Sequence, residues 1–377
     1  MTSYDVAIIG LGAMGSAAAY QLAKRGASVI GFDRFTPPHT MGSSHGDTRI
    51  IREAYHESPA YVPIVQRAYE LWDELASESG ETLLQQTGGL MLGEPEGETV
   101  SGAIHSAELH GLAYEVLDGY EVRKRWPQFN APDQFAAVHE DRSGILFPEK
   151  CISAHLRGSL KFGAELRYGT QVSGWVKDGD GVNVHTDGGD VSAGQLLITA
   201  GAWMPGLVPE LALPVEIERQ VLFWFEPALN PDLFDPTHCP IYIWEYESGH
   251  AFYGFPNLGD GVKIARHHDG RVVDPDSLDR DEVSDVDEEM LRKQLSRMMP
   301  YASGRVIRSE VCMYTNTPDQ HYLIGFHPEN ASVLIGSPCS GHGFKMASAL
   351  GESFAELLLD GESRHDLSLF ALDRLLT

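Results

Sequence analysis

Three short segments of this chain gather cations and histidines beside glycines: "SSHGDTRIIR" with His45, Arg49 and Arg52, "VKIARHH" with Lys263, Arg266 and His267, and "SGHGFK" with His342 and Lys345. The whole chain has a formal charge of −26, so such local basic knots point to a site for a carboxylate or another anion. The same charge argues against a surface that neutralises nucleic-acid phosphates or docks on an anionic membrane. A fourth segment, "EVCMYTNTPDQHYLIGF", sets Cys312 beside Met313, Tyr314 and Thr315. The other cysteines, Cys151, Cys239 and Cys339, stand too far away for a CxxC metal knuckle, and four are too few for a disulfide framework. A reducing compartment is therefore expected, and without further context Cys312 reads as a small buried hydrophobe. No G-x-S-x-G, H-E-x-x-H or Walker loop is present, so hydrolase and NTPase chemistry lack support. No acid-histidine spacing suggests a metal, and none is expected.

These residues need elements to position them. "YDVAIIGLGAMGSAAAYQLAKRGASVIGFDRF" reads as a strand at 6–9, a glycine turn, a helix near 14–24 and a second strand ending at Asp33. Gly10 permits the tight turn, Gly12 lets main chain approach a pyrophosphate, and Gly15 lets helix and strand pack closely. The helix N-terminus adds free N–H groups and positive dipole. Asp33 lies 18 residues beyond Gly15, where a ribose hydroxyl needs an acceptor. This is a dinucleotide site, and the acid argues for an NAD-like ligand or FAD.

The spacing of Ile64, Ala68, Leu71 and Leu75, ended by Gly80, predicts a core-facing helix with no role in binding. Residues 84–146 break into short segments that read as an α+β insertion. A helix at 152–163, strands over 164–189 and an apolar strand ending Thr199-Ala200-Gly201 mark a return to the first domain. Residues 214–309 alternate strands, then give one helix at 285–299 whose charges fit its dipole. The segment 332–361 is strand, glycine turn and helix again. The expected fold class is α/β plus α+β: a Rossmann-like cofactor domain, discontinuous over 1–83, 147–213 and 310–377, with a second, mixed-sheet catalytic domain over 84–146 and 214–309. No stretch of about 18 apolar residues and no signal-like leader are seen, so a cytoplasmic protein that needs no membrane is expected. No heptad seam suggests an oligomer, and a monomer is expected.

Taken together, "GLGAMGSAAAYQLAKRG", "PPHTMGSSHGDTRIIR", "CMYTNTPDQHYLI" and "SGHGFKMA" resemble the monomeric sarcosine oxidase family, whose relatives include N-methyltryptophan and pipecolate oxidases. The likeness covers nearly the whole chain. It implies a two-domain FAD-binding protein that oxidises a secondary amino acid such as sarcosine, passes two electrons to FAD and releases hydrogen peroxide from dioxygen. Its implied partners are that small molecule and dioxygen. Carried over position by position, Cys312 is the residue joined to the flavin by a thioether, and Arg52 and Lys345 clamp the substrate carboxylate. Lys263 promotes oxygen reduction, Arg49 and Thr48 lie beside the flavin, and Tyr253, Tyr314 and His267 shape the pocket. The resemblance further implies cofactor contacts from Ser43, His45, Val172, Gly201, Trp203, Met313, Gly341, Gly343 and Phe344.

The match has departures. Classical sarcosine oxidases have two adjacent histidines where this chain has Ser44-His45, a pairing closer to the pipecolate oxidases. Arg266 replaces an aromatic or a lysine, and Cys339 stands where relatives carry phenylalanine. A cyclic secondary amino acid, pipecolate or proline, is thus the alternative substrate. A nicotinamide-dependent dehydrogenase would share "GLGAMG" but leaves "CMYTNTPD" and "SGHGFK" unexplained.

Overall fold

A computed structural model describes residues 4–376. Its first layer is an eight-stranded sheet centred on Tyr4–Ile9, which pairs in parallel with Val191–Ile198 on one side and Val29–Asp33 on the other. Glu165–Tyr168 extends the second edge, and Asn330–Ser337 lies parallel to the end of Val191–Ile198. Val6, Ala7 and Ile8 are fully buried, as expected for a strand covered on both faces.

The helix Ala13–Lys24 leaves the first strand through the glycine turn and packs between Pro148–Lys161 and Ala347–Asp360. Its alanines explain why this works. Ala17, Ala18 and Ala19 are fully buried, and a Cβ on Gly351 would lie only 2.6 Å from that of Ala17. Small residues let the two helix backbones come close, and a larger pair would force them apart. The core-facing helix read from sequence is Val62–Ser79, closed by Gly80 in a left-handed conformation.

The second layer is another eight-stranded sheet, in the order Val306–Asn316, Glu216–Phe225, Val262–His267, His250–Asn257, Ile241–Glu247, Gly89–Gly93, Ala136–Glu140 and Glu115–Asp118. All neighbours are antiparallel except Ile241–Glu247 with Gly89–Gly93. The domain boundary expected at residue 310 falls inside the edge strand. Val306–Asn316 pairs along its length with Glu216–Phe225, so Cys312 belongs to the second sheet. That pairing joins residues about ninety positions apart, which local pattern does not reveal. A small sheet of Arg49–Ile51, Gly144–Leu146 and Leu84–Gln86 bridges the layers and carries Arg49 and Arg52 to their junction.

Candidate active site

A cavity of about 560 Å³ runs between the two layers. At one end its wall is main chain. Gly10 has φ +91°, and a Cβ there would lie 2.5 Å from the Thr199 carbonyl oxygen; one on Gly15 would lie 1.8 Å from the carbonyl oxygen of Gly10. Both positions need glycine. Gly12 is different, with nothing within 4 Å of where a Cβ would be, and it caps a twelve-residue helix with no side-chain hydrogen bond. Its first N–H groups are left for an anion in open space. Asp33 Oδ2 accepts from Leu11 N at 2.8 Å, which ties the glycine turn to the second strand, and Oδ1 accepts from Phe35 N. Val172, Gly201 and Trp203 line the cavity next to this end.

At the other end the wall is side chain, and strand register builds it. Leu222 stands opposite both Ala265 and Glu310, Ala265 opposite Tyr253, and Tyr253 opposite Ile243. Directly paired residues share a face, and so do residues two apart on one strand. Glu310, Cys312, Tyr314, Lys263, His267 and Tyr253 therefore project from the same side of the sheet. Met313 projects from the other side and packs with Ala202, Ile217 and Leu278, so its side chain is not in the cavity wall. Arg266 also leaves the opposite face and pairs with Asp269 at 2.6 Å.

The cations on and around this wall are held by oxygen atoms. Arg49 donates to Thr48 O at 2.7 Å and Ser43 O at 2.8 Å, and its Nη2 lies 3.9 Å from Cys312 Sγ. Lys263 Nζ donates to Gly46 O at 2.6 Å and to Thr48 O and Oγ1 at 3.0 Å each, just behind the surface of the cavity. Burial and then Arg49 push Lys263 well below the usual lysine range, with Cys312, Glu149 and Asp47 opposing. Three acceptors, however, match the three donors of an ammonium. Arg52 is almost fully buried, donates to Ala54 O at 2.8 Å and to Glu57 at 2.5 Å, and lies 4.2 Å from the Tyr55 ring centre. Its Nε has no partner among the described residues. Lys345 Nζ donates to His342 O at 2.7 Å and Tyr55 OH at 3.2 Å; burial and then Arg52 bring it down to about 7.

Burial alone would push the Cys312 thiol up, but His45 and Arg49 outweigh it and bring it to about 7. His267 is held well below the usual histidine range by burial and by His268, so it is a neutral imidazole between Tyr253 and Tyr314. Gly341, at φ +78°, leaves room for that pair, because a Cβ there would lie 2.7 Å from the Tyr314 ring and 2.9 Å from His267. Gly343, Phe344 and Ser43 also line the cavity, whereas Gly15, His45, Thr48 and Lys263 stand just behind its surface.

Sequence reading missed three acids. Glu57 takes Arg52; burial pushes its carboxyl up, but Arg52 and the nearby histidines hold it well below the usual range. Glu140, 1% exposed, accepts from Glu53 N at 2.7 Å and Ala54 N at 3.1 Å and so fixes the segment after Arg52. Glu310 meets His45. No spacing rule marks them: Glu57 lies five residues after Arg52 in an irregular segment, and Glu140 and Glu310 reach their partners only through the fold. Among the described residues no group of three or more His, Cys, Asp or Glu side chains could hold a metal, and no helix is long and apolar enough to cross a membrane.

A glycine-turn nucleotide cradle opening onto a cationic pocket on a second sheet defines a dinucleotide-dependent oxidoreductase. The chain belongs to the FAD dependent oxidoreductase family, whose model matches residues 5–357, and within it to the group of the monomeric sarcosine oxidases. It is 42% identical to a monomeric sarcosine oxidase of Streptomyces avermitilis, over 99% of this chain and 98% of that protein. It is 35% identical to an N-methyl-L-tryptophan oxidase of Yersinia pestis, over 98% and 99%. Among solved structures, NikD, an amino acid oxidase of nikkomycin biosynthesis, superposes with a TM-score of 0.84 at 22% identity, covering 98% of each chain. The L-proline dehydrogenase of P. horikoshii superposes at 0.85 and 23%, covering 99% of this chain and 97% of that one. These last two speak for the fold alone. FAD is the cofactor, and the nicotinamide alternative falls. The open space at Gly12, the uncapped helix and the tied Asp33 fit that cofactor.

Proposed function

We propose that the protein oxidises a secondary amino acid, an N-methyl amino acid such as sarcosine, to its imine, with dioxygen as final electron acceptor. Water then converts the imine to an aldehyde and a primary amino acid, and hydrogen peroxide leaves. The observation that supports this best is the pair of buried cations, Arg52 and Lys345, at one cavity: Arg52 Nε is a buried donor without a partner, suited to a carboxylate oxygen. A carboxylate between them sets the amine toward His267, Tyr253 and Tyr314.

In this reading the first sheet and its helices bind FAD and the second sheet carries the substrate. Gly10, Gly12 and the following helix end receive the pyrophosphate, Asp33 the ribose, and Cys312 Sγ the thioether to the flavin. Bound FAD supplies the two-electron acceptor. The surrounding cations favour the neutral amine, the form whose nitrogen lone pair is available. Lys263 places its charge on the Cys312 side, where it stabilises charge developing on dioxygen.

Peroxide release measured over sarcosine, larger N-methyl amino acids, proline and pipecolate tests the proposal. Peroxide from the N-methyl substrates is expected, with the flavin colour kept by acid-precipitated polypeptide. Turnover of proline or pipecolate alone would move the assignment to cyclic amines, and no peroxide from any of them would end it.

A further inference from the structure

Tyr55 has no part in the proposed chemistry, yet it touches both cations of the carboxylate pair. Its ring centre lies 4.2 Å from the Arg52 guanidinium carbon and 5.0 Å from Lys345 Nζ, and its hydroxyl accepts from that Nζ at 3.2 Å. The residue is firmly held. It is fully buried, its ring stacks on Tyr61 with centres 4.6 Å apart, and its carbonyl oxygen accepts from Ser106 Oγ at 2.5 Å.

A chain of hydrogen bonds aims the hydroxyl. His342 Nε2 lies 3.0 Å from the Gln320 carbonyl oxygen, which can only accept, so the imidazole proton sits there and Nδ1 keeps its lone pair. Burial brings His342 down to about 3, so the ring is neutral and carries that one proton. Tyr55 OH lies 2.7 Å from Nδ1 and 3.2 Å from the His342 carbonyl oxygen. Tyr322 OH reaches the same two atoms at 3.1 and 3.2 Å. The shorter contact to Nδ1 belongs to Tyr55, whose single proton is thereby committed to His342. Its oxygen then meets Lys345 as an acceptor. Lys345 completes the count: an ammonium has three donors, and the structure engages two of them, at His342 O and Tyr55 OH. Lys263 differs, with three acceptors around its Nζ.

We infer that Tyr55 is the positioning residue of the carboxylate site: its ring spaces Arg52 from Lys345, and its hydroxyl, with the proton held by His342, leaves Lys345 one N–H for the substrate carboxylate. The inference rests on the role proposed above for Arg52 and Lys345. An acceptor beside Lys345 also stabilises its charged form. Burial and then Arg52 bring that lysine down to about 7, with Glu57 opposing. His56, which burial brings to about 4, and His342 face it as neutral rings. Arg52, Glu57, His56, His342 and Tyr55 are the charged and titratable groups around Lys345 among the described residues. Removing the Tyr55 oxygen takes away one of two acceptors and leaves the other groups in place, so Lys345 then loses its charge at a lower pH.

Binding of methoxyacetate, which has the carboxylate of sarcosine but no amine, can be read from the absorbance of the flavin-bearing enzyme between about pH 5.5 and 9. In the unaltered enzyme the affinity falls as pH rises through about 7. Tyr55→Phe, which keeps the ring beside Arg52, is expected to move that midpoint down by about one pH unit and to weaken binding about fivefold at pH 7. His342→Leu should shift the midpoint the same way but less, because the main-chain carbonyl can still take the Tyr55 proton. His342→Asn, whose amide oxygen can stand in for Nδ1, should restore it. An unchanged midpoint in Tyr55→Phe overturns the inference, and so does a weakening equal at every pH, which would leave Tyr55 a packing residue. Should Tyr55→Phe be recovered only as aggregate, the two His342 variants decide, and equal midpoints in them overturn it. Failure of the underlying carboxylate site looks different: Lys345→Met then binds methoxyacetate as the unaltered enzyme does, with the same midpoint.

Discussion

The two ends of the cavity are built from different material. At the nucleotide end, the turn shaped by Gly10, Gly12 and Gly15 and the helix terminus after it present main-chain N–H groups that hold no titratable proton and keep their geometry at any ordinary pH. At the end proposed for the substrate the same cavity is walled by buried Arg52, Lys345 and Cys312 and by half-buried Arg49 and His267, most of them pushed away from their usual proton affinity. A dinucleotide is the same molecule in every turnover, so a rigid backbone cradle serves it. A substrate that must lose a proton and two electrons needs charges that respond, and only side chains provide those.

The backbone end tolerates the least change. Gly15→Ala puts a methyl 1.8 Å from the Gly10 carbonyl oxygen, main chain against main chain. It should cost about 3 kcal/mol and leave little soluble, flavin-bearing protein, read as flavin content and melting temperature. Gly12→Ala, with no neighbour to meet, should fold with a near-normal melting temperature yet bind FAD at least about tenfold more weakly. Equal effects of the two would mean that the cradle is not what the free space at Gly12 serves.

The side-chain end should break without unfolding. Lys263→Met should slow reoxidation by dioxygen about a hundredfold or more while leaving reduction by substrate much less affected, measured as separate half-reactions by stopped flow. Equal slowing of both would remove Lys263 from the oxygen step.

The smallest expected effect concerns pH. Lys345 has its affinity for a proton lowered to about 7 by burial and Arg52, so its positive charge is present below that pH and is lost as pH rises through it. A small carboxylate inhibitor without an amine should therefore bind up to about tenfold more weakly at pH 8.5 than at pH 6. In Lys345→Met that slope should flatten, with weak binding throughout; a slope that survives belongs to another group.

The nucleotide end was legible because its determinants are consecutive: Gly10 to Asp33 spans a single strand-helix-strand unit, and main-chain chemistry follows local pattern. The substrate end was legible mainly as residue types, through the resemblance carried by "SSHGDTRIIR" and "SGHGFK". Its acids were not, because Glu57 is explained by Arg52, Glu140 by two amides from a distant segment, and Glu310 by a histidine far earlier in the chain. Met313 shows the converse. Its neighbour Cys312 made it look like part of the site, yet a strand turns successive side chains to opposite faces.

The sequence by itself determined the glycine turn, the helix that follows it, and the identity of the cations, because turn conformation and helical period are written over a few adjacent residues. The tertiary structure alone decided which sheet Cys312 joins and what faces it. Register between Val306–Asn316, Glu216–Phe225 and Val262–His267 is set by pairing across long sequence separations. A slip of one residue in that pairing would send Cys312 to the far face and bring Met313 into the cavity.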